Sequence, residues 1–123
     1  MALASEFTGL GTHPLVSAMS GFGPGATGLT GAGTAQGDAL ALVQGVNKFT
    51  TVGSGSGGRL PPAGGSGPVV VVNSGANALL TYPATGETIN ALTANSSFSV
   101  TNAKMAVFLP AGNSWVAILS AGA

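Results

Sequence analysis

Residues 68–83 read PVVVVNSGANALLTYP, and the meaning of this stretch decides the fold. Val69, Val70, Val71 and Val72 form an unbroken run of β-branched residues, which are stiff at χ1 and pack well on a pleated sheet. Asn73-Ser74-Gly75-Ala76-Asn77 follows, a polar cluster whose glycine tolerates the backbone angles of a tight turn. Residues 78–82, ALLTY, have strand character, and Pro83 ends them because it brings no amide hydrogen to a ladder. The pattern predicts a β-hairpin, with everything after Asp38 built around it as further strands.

Towards the C-terminus, Thr85-Gly86 turns the chain into a short strand, Glu87-Thr88-Ile89. Residues 96–100, SSFSV, make another strand. Residues 104–109, KMAVFL, and 114–119, SWVAIL, make a last hairpin joined by the polar turn Pro110-Ala111-Gly112-Asn113. Before residue 68, residues 39–44 are strand-like and Gly45 marks a break or bulge. Residues 46–52, VNKFTTV, place Val46, Lys48, Thr50 and Val52 on one face and Asn47, Phe49 and Thr51 on the other. Such mixed faces predict that both sides are partly covered. The Gly/Ser-rich segments 53–58 and 63–67 are loops flanking Arg59-Leu60. About eight short strands and no convincing helix predict an antiparallel β-sandwich or a compact barrel. Val71, Leu79, Phe98, Phe108 and Trp115 are candidates for the core or a subunit interface, with Ile89 and Ile118 beside them in the core. Trp115 suits either role, since Trp is favoured at interfaces.

The first 37 residues have a different character. Gly, Thr, Ala and Ser dominate, and apolar residues stand singly: Phe7, Leu10, Leu15, Met19, Phe22 and Leu29. This composition suits a free tail. The spacing of the apolar residues suits an extended arm whose side chains dock in shallow pockets of a partner. The expected organisation is therefore an arm over 1–37 and a β-domain over 38–123.

Charged residues make up 5% of the chain and cancel to a formal net charge of zero, against about 25% in ordinary soluble domains. Nucleic acid and anionic membrane surfaces both require clustered Lys or Arg, and no cluster exists. The apolar runs are far shorter than the roughly 20 residues of a spanning helix, so no membrane partner is expected. No basic or apolar leader opens the sequence, so no secretory signal is expected. Mean hydropathy is +0.48, high for a chain that must stay soluble alone with no net charge. Much of its surface is expected to be covered, in an oligomer or a larger assembly. With no Cys there is no disulfide framework or thiolate metal site.

No catalytic constellation emerges. His13 is the only histidine, and one His with scattered acids makes neither a zinc site nor a triad. Asp38 and Glu87 are the wrong company for paired-carboxylate chemistry: no sugar-lining aromatics flank them. Glu87 is expected to be solvated or paired with Arg59 or Lys104. Residues 23–28 and 53–58 match GxGxxG, but neither opens a helix, and 21 glycines make such matches cheap. Asn95-Ser96-Ser97 fits a glycosylation acceptor that only secretion would use. No cofactor and no enzymatic activity are expected.

Residues 32–120 resemble a family of small β-rich proteins of tailed bacteriophages that act as capsid decoration, cement or head-fibre-base proteins. The likeness runs through Gly33-Thr34-Ala35-Gln36-Gly37-Asp38-Ala39, through Asn47-Lys48-Phe49-Thr50-Thr51-Val52 and through Gly58-Arg59-Leu60-Pro61. It is most specific over 73–92, NSGANALLTYPATGETINAL, and includes Trp115. The resemblance implies a jelly-roll-like sandwich, often trimeric, on the outer surface of the virion capsid. It implies a non-enzymatic role, with the major capsid protein as partner of the arm. A host-receptor or glycan-binding module of a phage fibre or tail, using the loops 53–58 and 61–67, is the alternative.

Overall fold

The computed structural model describes residues 25–120. They form ten strands in two sheets. In chain order these are β1 (Ala26–Thr30), β2 (Leu40–Ala41), β3 (Gly45–Thr51), β4 (Gly57–Arg59), β5 (Val69–Asn73), β6 (Leu79–Tyr82), β7 (Thr88–Ile89), β8 (Phe98–Val100), β9 (Lys104–Ala111) and β10 (Ser114–Leu119). Two single 3-10 turns, Gln36–Asp38 and Ala63–Gly65, complete the regular structure. The larger sheet has the order β1-β3-β5-β9-β10-β7, and the smaller has β2-β4-β6-β8. The all-β class expected from the sequence is what the chain adopts.

The pairing differs from an antiparallel jelly roll. Residues 68–83 are not a hairpin: β5 lies in one sheet and β6 in the other. Both edges of β5 are taken, one by β3 in parallel and the other by β9 in antiparallel fashion. From β1 to β9 every strand lies in the opposite sheet to the one before it. The chain therefore winds, and successive passes stack in parallel. Gly45 pairs with Val69, 24 residues on, and Gly57 pairs with Leu80, 23 residues on. The β1–β3 and β2–β4 ladders are parallel as well. This is the winding of a short two-sheeted solenoid. The last strands close it: β8 runs antiparallel to β6, β9 to β5 and β10 to β9, while β7 joins β10 in parallel.

Side-chain amides at the corners explain why the 73–77 cluster redirects the chain instead of folding it back. The Asn73 Nδ2 donates to the carbonyls of Asn77 and Val100, both at 2.8 Å, and its Oδ1 accepts from Gly75 N at 2.9 Å. Asn77 Nδ2 donates to Val52 O at 2.9 Å, clasping the preceding coil. Gly75 lies so close to that coil that a Cβ would fall 2.7 Å from both the Val52 amide nitrogen and its Cγ2. Gly75→Val is expected to cost about 2–3 kcal/mol by overpacking, measured by urea unfolding. Gly53→Val, which meets nothing within 4 Å, should change stability by less than about 0.5 kcal/mol. Equal effects of the two would show that the corner has room.

The core lies between the sheets. Phe49, Val69, Val71, Ile89, Ala106, Phe108 and Trp115 project from the larger sheet and meet Leu79 and Val100 of the smaller, with Leu42, Val52, Leu60 and Ala63 from the connections. The C-terminal hairpin is present, with β9 extending through Pro110 to Ala111 and only Gly112-Asn113 in the loop.

Candidate functional site

Of the candidate core or interface residues, Val71, Leu79, Phe108 and Trp115 are all buried between the two sheets. Phe98 is half-buried and packs edge-to-face on Phe108, ring centroids 5.7 Å apart. Within the single chain all five are internal packing. Ile118 is not: it is 60% exposed, on the far side of β10 from Trp115.

Of the candidate arm residues, Phe7, Leu10, Leu15, Met19 and Phe22 lie outside the described residues. Leu29 belongs to β1, is half-buried, pairs in register with Phe49 and packs on the core. Among the described residues the first strand, Ala26–Thr30, lies inside the segment 1–37 expected to be an arm.

Asp38, Arg59 and Glu87 are bonded to groups of the fold itself. The Asp38 Oδ1 accepts from the amides of Thr34 and Ala35 at 3.1 and 2.9 Å. Arg59 donates to the carbonyls of Gln36 and Gly37 at 3.0 and 3.3 Å. Glu87 is neither free in solvent nor bound to Arg59 or Lys104. Its carboxylate accepts from the Ala63 amide at 3.1 and 3.2 Å and from the Trp115 indole N–H at 3.2 Å. A groove of about 540 Å³ runs between these groups, lined by Leu42, Arg59, Pro61, Pro62, Thr85 and Glu87 among others. Of the loops considered for glycan binding it includes Pro61 and Pro62, and both its charged groups are already engaged within the chain. Among the described residues no three His, Cys, Asp or Glu side chains come together as a metal site. Of the two GxGxxG matches, 23–28 is only partly within the described residues. The other ends in β4, where a Cβ on Gly57 would clash with the Leu80 carbonyl; close strand contact accounts for that glycine.

The feature with the greatest capacity for interaction is the outer face of the larger sheet. Strand alternation turns Val46, Val70, Val107 and Ile118 outward, and the register places them side by side in one row across β3, β5, β9 and β10; Val46 and Ile118 at its ends are exposed, Val107 is half-buried and Val70 in the middle is buried. A neighbouring row holds Lys48, Val72 and Met105. On the other side Leu109 pairs with Val116. Val46, Met105, Leu109 and Val116 are each 40% or more exposed. A second groove, of about 560 Å³, opens at the Met105 end, between Val72, Lys104 and Ser120. The outer face of the smaller sheet is mixed, carrying Arg59, Tyr82 and Ser99. Periodicity had put Val46, Lys48, Thr50 and Val52 on one face of β3. The first three do point outward, and Val52, one residue past the strand, turns into the core. The signal for an apolar outer face is present in the sequence as runs without polar alternation, VVVV, MAVFL and WVAIL. Such runs mark strands covered on both sides.

No family model matches this chain, and searches of curated proteins and of solved structures found no match either.

Proposed function

We propose that this chain is a non-enzymatic virion structural protein that decorates and stabilises the outer surface of a tailed-bacteriophage capsid. The resemblance over 32–120 suggests the setting. The observation that carries an assembly role is the bare apolar face of the larger sheet on a chain with no net charge. Such a surface calls for burial against protein. In this reading the chain acts as a homo-oligomer, a trimer on the family's pattern, and the N-terminal arm, with Phe7, Leu10, Leu15, Met19 and Phe22 as its spaced apolar side chains, reaches onto the major capsid protein. Many weak, symmetry-repeated contacts then add up to tight retention. The glycan-binding alternative is less well supported, because the groove beside Pro61 and Pro62 offers a ligand no uncommitted charged group.

The test mixes purified protein with shells that lack it and counts bound copies after sedimentation. The intact chain is expected to load the shells and raise the temperature at which they release DNA. A variant lacking residues 1–24 should load at least tenfold fewer copies. Full loading by the shortened chain would remove the arm from the proposal. No loading by the intact chain, with specific binding to host cells or glycans, would replace decoration by receptor recognition.

A further inference from the structure

We infer that the outer face of the larger sheet is where further copies of this chain meet, so that the face lines the symmetry axis of a homo-oligomer. Three observations select this occupant. The first is charge. The face carries one charged side chain, Lys48, at its margin beside Val72, with Lys104 at the rim, so a basic partner gains nothing from it and most of its area is uncharged. A second copy meets that area with its own apolar rows, the lysines of both copies staying at the solvated margin.

The second is size. Four strands at about 4.8 Å spacing and five residues at about 3.3 Å each make an apolar rectangle of roughly 19 by 17 Å. The flanking strands β1 and β7 and the rims at Thr50, Lys104 and Ser120 widen it. The apolar rectangle alone is less than half of the roughly 800 Å² per partner of a standard specific interface, so the polar margin must share in the contact, giving the apolar centre and polar rim such interfaces have.

The third is shape. The row Val46, Val70, Val107 and Ile118 runs across four adjacent ladders of one sheet, and the outer face of the other sheet offers no comparable patch. A single apolar surface is satisfied by its own copies. Two copies pack as face-to-face sheets about a two-fold. Three copies pack as a prism with the face turned to the axis.

This inference is independent of which shell, if any, the chain decorates. It is tested on the full chain alone, by light scattering during size exclusion at micromolar concentration. The wild type is expected to run as a dimer or trimer. Ile118→Lys combined with Val116→Lys, both outward and exposed, should run as a monomer with an unchanged far-UV spectrum. Leu109→Thr, a milder change on the same face, should raise the dissociation constant at least tenfold without altering the fold. Ser99→Lys, on the outer face of the other sheet, should leave the mass unchanged. A monomeric wild type would overturn the inference. An oligomer untouched by the Ile118, Val116 and Leu109 variants would also overturn it.

Discussion

Replacing Asn47 by Ala is expected to lower the unfolding free energy by about 3–5 kcal/mol, a large share of what a small domain possesses. Asn47 is 1% exposed, a buried polar side chain at the start of β3. Its Nδ2 lies 2.8 Å from Val43 O, 3.1 Å from Gly45 O and 3.2 Å from Val70 O, and its Oδ1 accepts from Val43 N at 2.9 Å. The side chain thus closes the bend between β2 and β3 and ties it to β5 in the next coil. Alanine would leave the buried Gly45 and Val70 carbonyls short of a donor and free the part-buried Val43 groups, loosening the bend, at about 1–3 kcal/mol for each buried group that finds no substitute. Asn47→Asp keeps the shape but exchanges a double donor for a buried charge, and is expected to be at least as damaging. Urea unfolding followed by the fluorescence of Trp115, the only tryptophan, measures both. A loss below about 1 kcal/mol for Asn47→Ala would mean that the bend holds by backbone geometry alone.

Trp115→Ala is expected to cost about 3–5 kcal/mol, the range for emptying a large aromatic site. The side chain is 1% exposed, and two interactions act on it separately. Its ring fills the centre of the core, while its indole N–H reaches the Glu87 carboxylate that also holds the Ala63 amide. Trp115→Phe retains most of the first interaction and removes the second, and should cost about 1–2 kcal/mol more than the lost ring area alone predicts. The coupling appears in a double-mutant cycle with Glu87→Ala, which removes the accepting oxygens, read by circular dichroism because the fluorophore is gone. A coupling energy near zero would show that Glu87 serves the 63–65 turn and not the core.

The limits of sequence reading follow from what each signal encodes. Val69–Asn73 and Leu79–Tyr82 are strands, as the β-branched run and the proline stop indicate. What joins them differs from the hairpin that the local pattern predicts. A five-residue polar cluster with a central glycine suits a hairpin and a corner between sheets equally well. The choice depends on distant groups, the carbonyls of Val52 and Val100, to which Asn77 and Asn73 bind. The β9–β10 hairpin was legible because Gly112-Asn113 settles its register locally. Leu29 was assigned to the arm because its surroundings are glycine and threonine; its place in the sheet comes from pairing with β3, 20 residues further on. By sequence Trp115 suits core or interface, and the structure puts it in the core. Ile118, a core candidate alongside it, is exposed, since an unbroken apolar run does not declare which of its two faces is the inner one.

The order of the larger sheet also has a meaning in time. Strand β5, with its four valines, finds one neighbour, β3, among residues already behind it in the chain. Its other neighbour, β9, begins only at Lys104. As the chain emerges during synthesis, this most β-prone segment is complete while one ladder edge is still open and the surface above it uncovered, the condition under which strands of different molecules pair. A protein made in many copies at once would be exposed to that hazard at high local concentration. Rapid closure of the β9–β10 hairpin, the most local pairing in the sheet, shortens the interval during which the valine edge is open to its neighbours.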